Sequence, residues 1–304
     1  MNTPIPGGGG HEGVRLTFVS TGTVRIKIAM KSQPIANRNV TMRRLRAIVD
    51  RQWSEELPIG VFILSHPEGP ILFDTGESPH VNEPGFRSAW SPSKMFATTQ
   101  ILPEHGIVHQ LRANGVEPKD LQAIVLSHLH GDHAGGLQDL LKEAQDIPVY
   151  ISQAHWDAFG KHPFFAALQG CNPAHWPNPF EPRLLLFSDG SVGPWKQSSK
   201  ITSDGSILAV ATPGHVPGHV SLVVQGISPN GVKTTYFLPA DATYSVDLLD
   251  KEEPDGINDD PVGALQSLRL IKEFANQVDL VVLPSHDPKT PQLLKERVVY
   301  KPRF

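Results

Sequence analysis

Ser127-His128-Leu129-His130-Gly131-Asp132-His133-Ala134-Gly135-Gly136 follows an apolar run, Ala123-Ile124-Val125-Leu126. The stretch sets three imidazoles and a carboxylate within six residues. Neutral imidazole nitrogen and ionised carboxylate are the ligands that zinc and its first-row neighbours take. His128 and His130 are two apart, so on extended chain they point the same way. Asp132 and His133 follow a glycine that can turn the backbone and aim a second pair elsewhere. One short segment can therefore serve two neighbouring metals. The plain alternative is a histidine-rich surface loop, and the rest of the chain argues against it.

Three more apolar runs end in a histidine or an aspartate. Ile207–Ala211 leads to Thr212-Pro213-Gly214-His215, Thr235–Leu238 to Pro239-Ala240-Asp241, and Leu280–Leu283 to Pro284-Ser285-His286. Each reads as a short strand whose C-terminal end delivers a ligand, the place where open sheets build sites. If the four ends share one edge, seven candidate ligands converge: His128, His130, Asp132, His133, His215, Asp241 and His286.

Helical patterns alternate with these strands. Asp260 is a candidate N-cap and Pro261 a first-turn residue for a helix through Gln277, with Leu265, Leu268, Ile271 and Phe274 on one face. Ala134 to Gln145 reads as a second helix. Met42, Leu45, Ile48, Val49 and Trp53 form a helical stripe that fits core or lid packing. Arg15 to Ile28 alternates around Thr21-Gly22-Thr23 and reads as a hairpin; Ile59–Leu64 and Ile71–Phe73 flank Pro67-Glu68-Gly69-Pro70 and read as another. Strands and helices mixed along the whole chain indicate α/β layers. The expected organisation is a flexible tail over 1–13 and a single domain over 14–304, with lid segments at 30–58 and 155–182. The second is dense in aromatics and prolines. It suits either an aromatic lid or an insertion packed on the core.

Composition narrows the class. The 304 residues are 39% hydrophobic and 19% charged, with a formal net charge of -4, so nothing favours nucleic acid or an anionic membrane. Cys171 is the only cysteine. It permits no intramolecular disulfide and no cysteine-based zinc site, and fits a small apolar filler. Met1 to Gly13 lacks the apolar core of a signal peptide or anchor, so a cytoplasmic protein is expected.

The motifs resemble a known family. His128-Leu129-His130-Gly131-Asp132-His133, Thr212-Pro213-Gly214-His215, Asp241 and His286 resemble the ligand set of the metallo-β-lactamase superfamily, and Phe73-Asp74-Thr75-Gly76 its Asp-Thr-Gly turn. The resemblance implies an αβ/βα sandwich: two packed mixed β-sheets flanked by helices, with metals at one edge. It implies that His128, His130 and His215 hold one metal, that Asp132, His133 and His286 hold the other, and that Asp241 bridges them. Two divalent ions are expected, zinc first, with iron, manganese or cobalt as alternatives. His219 is expected to support rather than bind, and Asp74 to orient a ligand imidazole or brace its loop.

Asp241-Ala242-Thr243-Tyr244 looks like the Asp-Ala-Ser-Tyr of N-acyl homoserine lactonases, whose tyrosine faces the substrate. The resemblance thus implies a hydrolase that opens a cyclic ester through a hydroxide shared by the metals. Tyr244 would polarise the carbonyl and Asp132 would relay a proton. The partner expected is a small molecule with an apolar or aromatic portion, and a homodimer is compatible. The same machinery suits a lactam, a cyclic carbamate, an aryl ester or a phosphotriester. A mononuclear iron oxidoreductase of the persulfide dioxygenase kind is a different class, and the full second ligand set counts against it.

Overall fold

The computed structural model describes residues 13–36, 38–87 and 93–303. The tail expected over 1–13 lies outside the described residues except for Gly13. Among the described residues, twelve strands form two sheets. In chain order they are β1 (Arg15–Ile26), β2 (Leu57–His66), β3 (Gly69–Phe73), β4 (Ala97–Gln100), β5 (Ala123–Val125), β6 (Val149–Ser152), β7 (Arg183–Leu185), β8 (Ser199–Lys200), β9 (Ile207–Ala211), β10 (Val220–Ile227), β11 (Lys233–Leu238) and β12 (Leu280–Val282). The first sheet runs β4-β1-β2-β3-β5-β6-β7 and the second β12-β11-β10-β9-β8. Both are mixed. β3, β5, β6 and β7 are parallel, β1 to β4 pair antiparallel, and β12 joins β11 in parallel.

Side-chain alternation explains the layering. Leu222 and Val224 of β10 and Tyr236 and Leu238 of β11 point inward and meet Phe62, Leu64, Phe73 and Val125 of the first sheet. Val223 and Phe237, one register step away, point outward onto Leu268, Ile271 and Phe274 of the helix Pro261–Gln277. The other face of the first sheet, with Val61, Ile63, Leu72 and Ile124, packs on Leu111, Leu137 and Leu140 from helices. The order is helix, sheet, sheet, helix. Each fully buried aliphatic or aromatic side chain in these layers contributes about 1.5–3 kcal/mol.

Several expectations hold locally. Asp260 caps Pro261–Gln277 by accepting from Val262 N at 3.0 Å, with Pro261 in the first turn. β2 and β3 form the expected hairpin. Others are corrected. Arg15–Ile26 is one strand, not a hairpin: both halves pair with β2, and a register shift falls between Ser20 and Thr23. Gly22, at φ +123°, absorbs the extra residue, while Ser20 Oγ donates to Gly22 O at 2.7 Å. The helix expected from Ala134 to Gln145 is two, Gly131–Ala134 and Leu137–Glu143. The break is pinned where Gly136 N donates to Gly76 O at 3.1 Å.

The stripe over 42–53 is inverted. The helix spans Val40–Val49, and Met42, Leu45, Ile48 and Val49 are 46–64% exposed, while Arg43 is fully buried. Trp53 lies beyond it, beneath the Lys27 ammonium. Segment 155–182 is short helical turns. Its Phe159 joins the core, whereas Phe164 and Phe165 are exposed.

Candidate metal centre

Strand direction gathers the candidate ligands. β9 and β11 both pair antiparallel with β10, so they run the same way, and β12 runs with β11. Their C-terminal ends deliver His215, Asp241 and His286 to one edge. β3 and β5, parallel in the other sheet, deliver Asp74 and the His128–His133 segment to the same place.

The seven candidates form two groups. His128, His130, His215 and Asp241 make one, and Asp132, His133 and His286 the other; within each group the ligand atoms lie within 4.8 Å of one another. His130 Nδ1 is 2.9 Å from His128 Nε2 and 3.1 Å from His215 Nε2. Asp241 faces both groups. Its Oδ2 is 3.4 Å from His215 Nε2, and its Oδ1 is 3.2 Å from both His133 Nε2 and His286 Nε2. Asp132 reaches toward the second group, 4.0 Å from His133 Nε2 and 3.7 Å from His286 Nε2.

Acceptors behind the rings decide which nitrogens carry protons. His286 Nδ1 donates to Pro58 O at 2.8 Å, His133 Nδ1 to Asp74 Oδ2 at 2.8 Å, and His215 Nδ1 to Asp255 Oδ2 at 3.2 Å. Ser127 Oγ donates to Asp74 Oδ2 and accepts from His128 Nδ1, both at 2.9 Å. In neutral rings so held, every Nε2 is a bare lone pair. These lone pairs converge on one another and on a carboxylate whose buried Oδ1 has no hydrogen bond. Donors crowded in this way repel unless cations lie among them, so the residues fit a pair of metal ions.

Electrostatics divide the rings: burial opposes charge on His215, His133 and His286, yet Asp255 beside the first and Asp241 beside the other two raise their pKa values, whereas His128 and His130 go the other way. Burial, then the neighbouring imidazoles, pushes His128 well below its ordinary pKa and His130 down to about 3, which keeps both in the ligand form. Burial works against charge on Asp241, yet His133 and His286 hold its carboxyl well below the usual range. Backbone strain marks the same place. Asp74 (φ 63°) and Ala240 (φ 46°), the residue before Asp241, both sit in the left-handed region.

A cavity of about 130 Å³ opens beside Asp132, Asp241 and His286, with Tyr244, Glu77 and Arg87 in its wall. Burial, then the Asp241 carboxylate, drives the Tyr244 phenol well above its ordinary pKa, so it remains an O–H donor. Its ring centroid is 5.2 Å from that of His286. An apolar groove of about 320 Å³ touches His130 and His215 and includes Met30, Ile48, Phe96 and Leu168.

His219 stands behind the centre. Its Nε2 accepts from Asp241 N at 3.2 Å and its Nδ1 meets Thr212 Oγ1 at 2.9 Å. Cys171 is buried, and its thiol is pushed up beyond ordinary reactivity by burial. Four supporting residues escaped the sequence reading. Ser127 links His128 to Asp74. Asp255 lies in an acidic loop that offered no spacing signal. His155 follows β6, the same strand-end position that revealed the other histidines; its Nε2 accepts from Leu129 N at 3.0 Å and its Nδ1 donates to Pro217 O at 2.8 Å. Glu77 directly follows the Asp-Thr-Gly turn. Burial lifts it to about 7 although Arg87 lies 3.2 Å away.

Comparison with known proteins places this architecture. The family model described as the metallo-β-lactamase superfamily matches residues 56–286, and the chain belongs to that superfamily. An N-acyl homoserine lactonase of Bacillus sp is 31% identical over 241 residues, covering 76% of this chain and 82% of the relative. A solved N-acyl homoserine lactone hydrolase with the product N-hexanoyl-L-homoserine at its catalytic metal center superposes with a TM-score of 0.67 at 23% identity, covering 93% of this chain and 96% of its own. A dizinc quorum-quenching lactonase superposes with a TM-score of 0.59 at 18% identity, covering 91% and 88%.

Proposed function

We propose that this chain hydrolyses cyclic esters, N-acyl homoserine lactones first, at a centre holding two divalent cations, with zinc the leading candidate. The observation that carries the reading is Asp241. Its two oxygens face two separate imidazole groups, and Tyr244, three residues on, stands in the wall of the adjoining cavity. Similarity to a lactonase over most of the chain supports the same substrate class. The shared fold is compatible with it, since one solved relative holds N-hexanoyl-L-homoserine at its metal center and another is a dizinc lactonase.

His128, His130 and His215 would hold one cation, Asp132, His133 and His286 the other, and Asp241 both. When bound, such a pair lowers the pKa of water toward neutrality and polarises a carbonyl. The protein supplies the rest. The Tyr244 O–H donates to the carbonyl oxygen as negative charge develops there. Asp132, partly exposed at the cavity edge, takes a proton from the attacking water and returns it to the departing ring oxygen. Water adds across the ester, leaving a carboxylate and an alcohol. The groove beside Ile48 and Leu168 takes the apolar acyl portion.

Zinc-loaded protein offered N-acyl homoserine lactones, lactams, aryl esters and a phosphotriester should open the lactones with the highest kcat/KM. Preference for a lactam or phosphotriester by tenfold or more would move the substrate to that class. No turnover of any carbonyl substrate would remove the hydrolase reading.

A further inference from the structure

The loop that carries Asp255 grips His215 and its neighbour three times. Asp255 Oδ2 accepts from the imidazole Nδ1 at 3.2 Å, Asp259 N donates to His215 O at 3.1 Å, and Asp260 N donates to Gly214 O at 3.0 Å. Gly214 sits at φ +140°, and a Cβ there would lie 2.2 Å from Ala264 N, so this loop has little freedom to adjust.

The loop is itself held by the helix Val40–Val49. Arg43 donates to Asp255 O at 2.7 Å and Pro254 O at 3.3 Å, and also to Gln33 O at 3.1 Å and Pro34 O at 3.0 Å. Arg44, one-third exposed, pairs with Asp259. Gln33 Nε2 donates to Arg43 O at 2.8 Å, and Gly256 N to Met30 O at 2.8 Å. A guanidinium removed from water destabilises a fold unless its N–H groups find acceptors. Here the carbonyls of two segments receive it. That explains the inverted helix: the basic face turns inward to clamp the loop, and the apolar stripe is left outside.

We propose that Arg43 and Arg44 are positioning residues, which hold residues 254–259 in the shape that aims His215 Nε2 at His130 and Asp241. The helix thereby sets how tightly the His128–His130–His215–Asp241 group holds a cation. The inference rests on that group being a cation site. The clamp reaches only one of the two groups, because His133 and His286 are backed by Asp74 and Pro58 instead. Its loss therefore weakens one cation and spares the other.

The test is zinc titration of the metal-free full chain in competition with a chromogenic chelator, with melting curves to establish folding. The variants are Arg44→Ala, Arg44→Lys, Arg43→Lys and, as a control on the exposed face, Arg46→Ala. Wild type and Arg46→Ala should bind two equivalents alike. Arg44→Ala should bind one equivalent about 10–100-fold more weakly with the other unchanged, and Arg44→Lys should recover most of the loss. Arg43→Lys, if it folds, should follow Arg44→Ala. An unchanged isotherm for folded Arg44→Ala overturns the proposal, as does equal weakening of both equivalents. A wild-type chain that binds no zinc removes the cation site itself, which is a distinct failure.

Discussion

At the residue scale the centre turns on Asp241 and Tyr244. Asp241 is the single carboxylate shared by both donor groups, so Asp241→Asn replaces one anionic oxygen by an amide nitrogen that cannot ligate. Metal content should fall from two equivalents toward one or none, and turnover should fall with it, as elemental analysis and kinetics on one preparation would report. Full activity with two metals bound would deny Asp241 its shared role. Tyr244→Phe removes one O–H donor and leaves the ring that packs near His286. Loss of one oxyanion donor costs about 10²–10³-fold in kcat. The expected outcome is a drop of that order with zinc content unchanged. An undiminished kcat would leave Tyr244 as packing alone.

At the scale of elements, His155 ties the turn after β6 to two ligand loops at once. Burial depresses its pKa from 6.5 to about 4. A histidine whose folded pKa lies below its unfolded value contributes stability that is present above about 6.5 and lost as pH falls toward 4, because the unfolded chain takes up the proton first. His155→Gln keeps an acceptor for Leu129 N without the titration. The melting-temperature gap between wild type and variant should narrow as pH falls from 7 to 4; a gap that stays constant would contradict the assignment. Elements were legible where one signal dominated. The Asp260-Pro261 start and the apolar face of Pro261–Gln277 were readable because cap, ring and periodicity agree there. The helix Val40–Val49 misled because its stripe is real while the partner it turns to is not apolar. Nothing local in Arg43 reveals that carbonyls some 211 residues away will meet it. The strand Arg15–Ile26 misled because Thr21-Gly22-Thr23 has turn composition, and only pairing with β2 shows it to be a bulge.

At the scale of the whole molecule, the candidate site exists because two sheets present the ends that carry its histidines and aspartates on one edge. Strand-end histidines and aspartates were legible one by one in the sequence, and their convergence was implied by resemblance. Of the supports, Asp74 and His219 were implied by the same resemblance, whereas Ser127 and Asp255 were not, since they act through contacts between loops distant in sequence. Among the described residues, no helix is long and apolar enough to cross a membrane. The crowding of imidazole lone pairs links metal to stability. Cations that bind the folded chain stabilise it by about 2.7 kcal/mol at a free concentration 100 times the dissociation constant. Chelation should therefore lower the melting temperature by several degrees, and zinc should restore it; a curve indifferent to chelator would show the centre holds nothing. The most direct measurement is the rate of ring opening of an N-acyl homoserine lactone, followed by proton release, as zinc is added stepwise to the metal-free chain. The rate should climb from near zero and level off at two equivalents. A chain that opens the lactone equally well in excess chelator, or that stays inert at every zinc level while folded, would contradict a paired-cation lactone hydrolase.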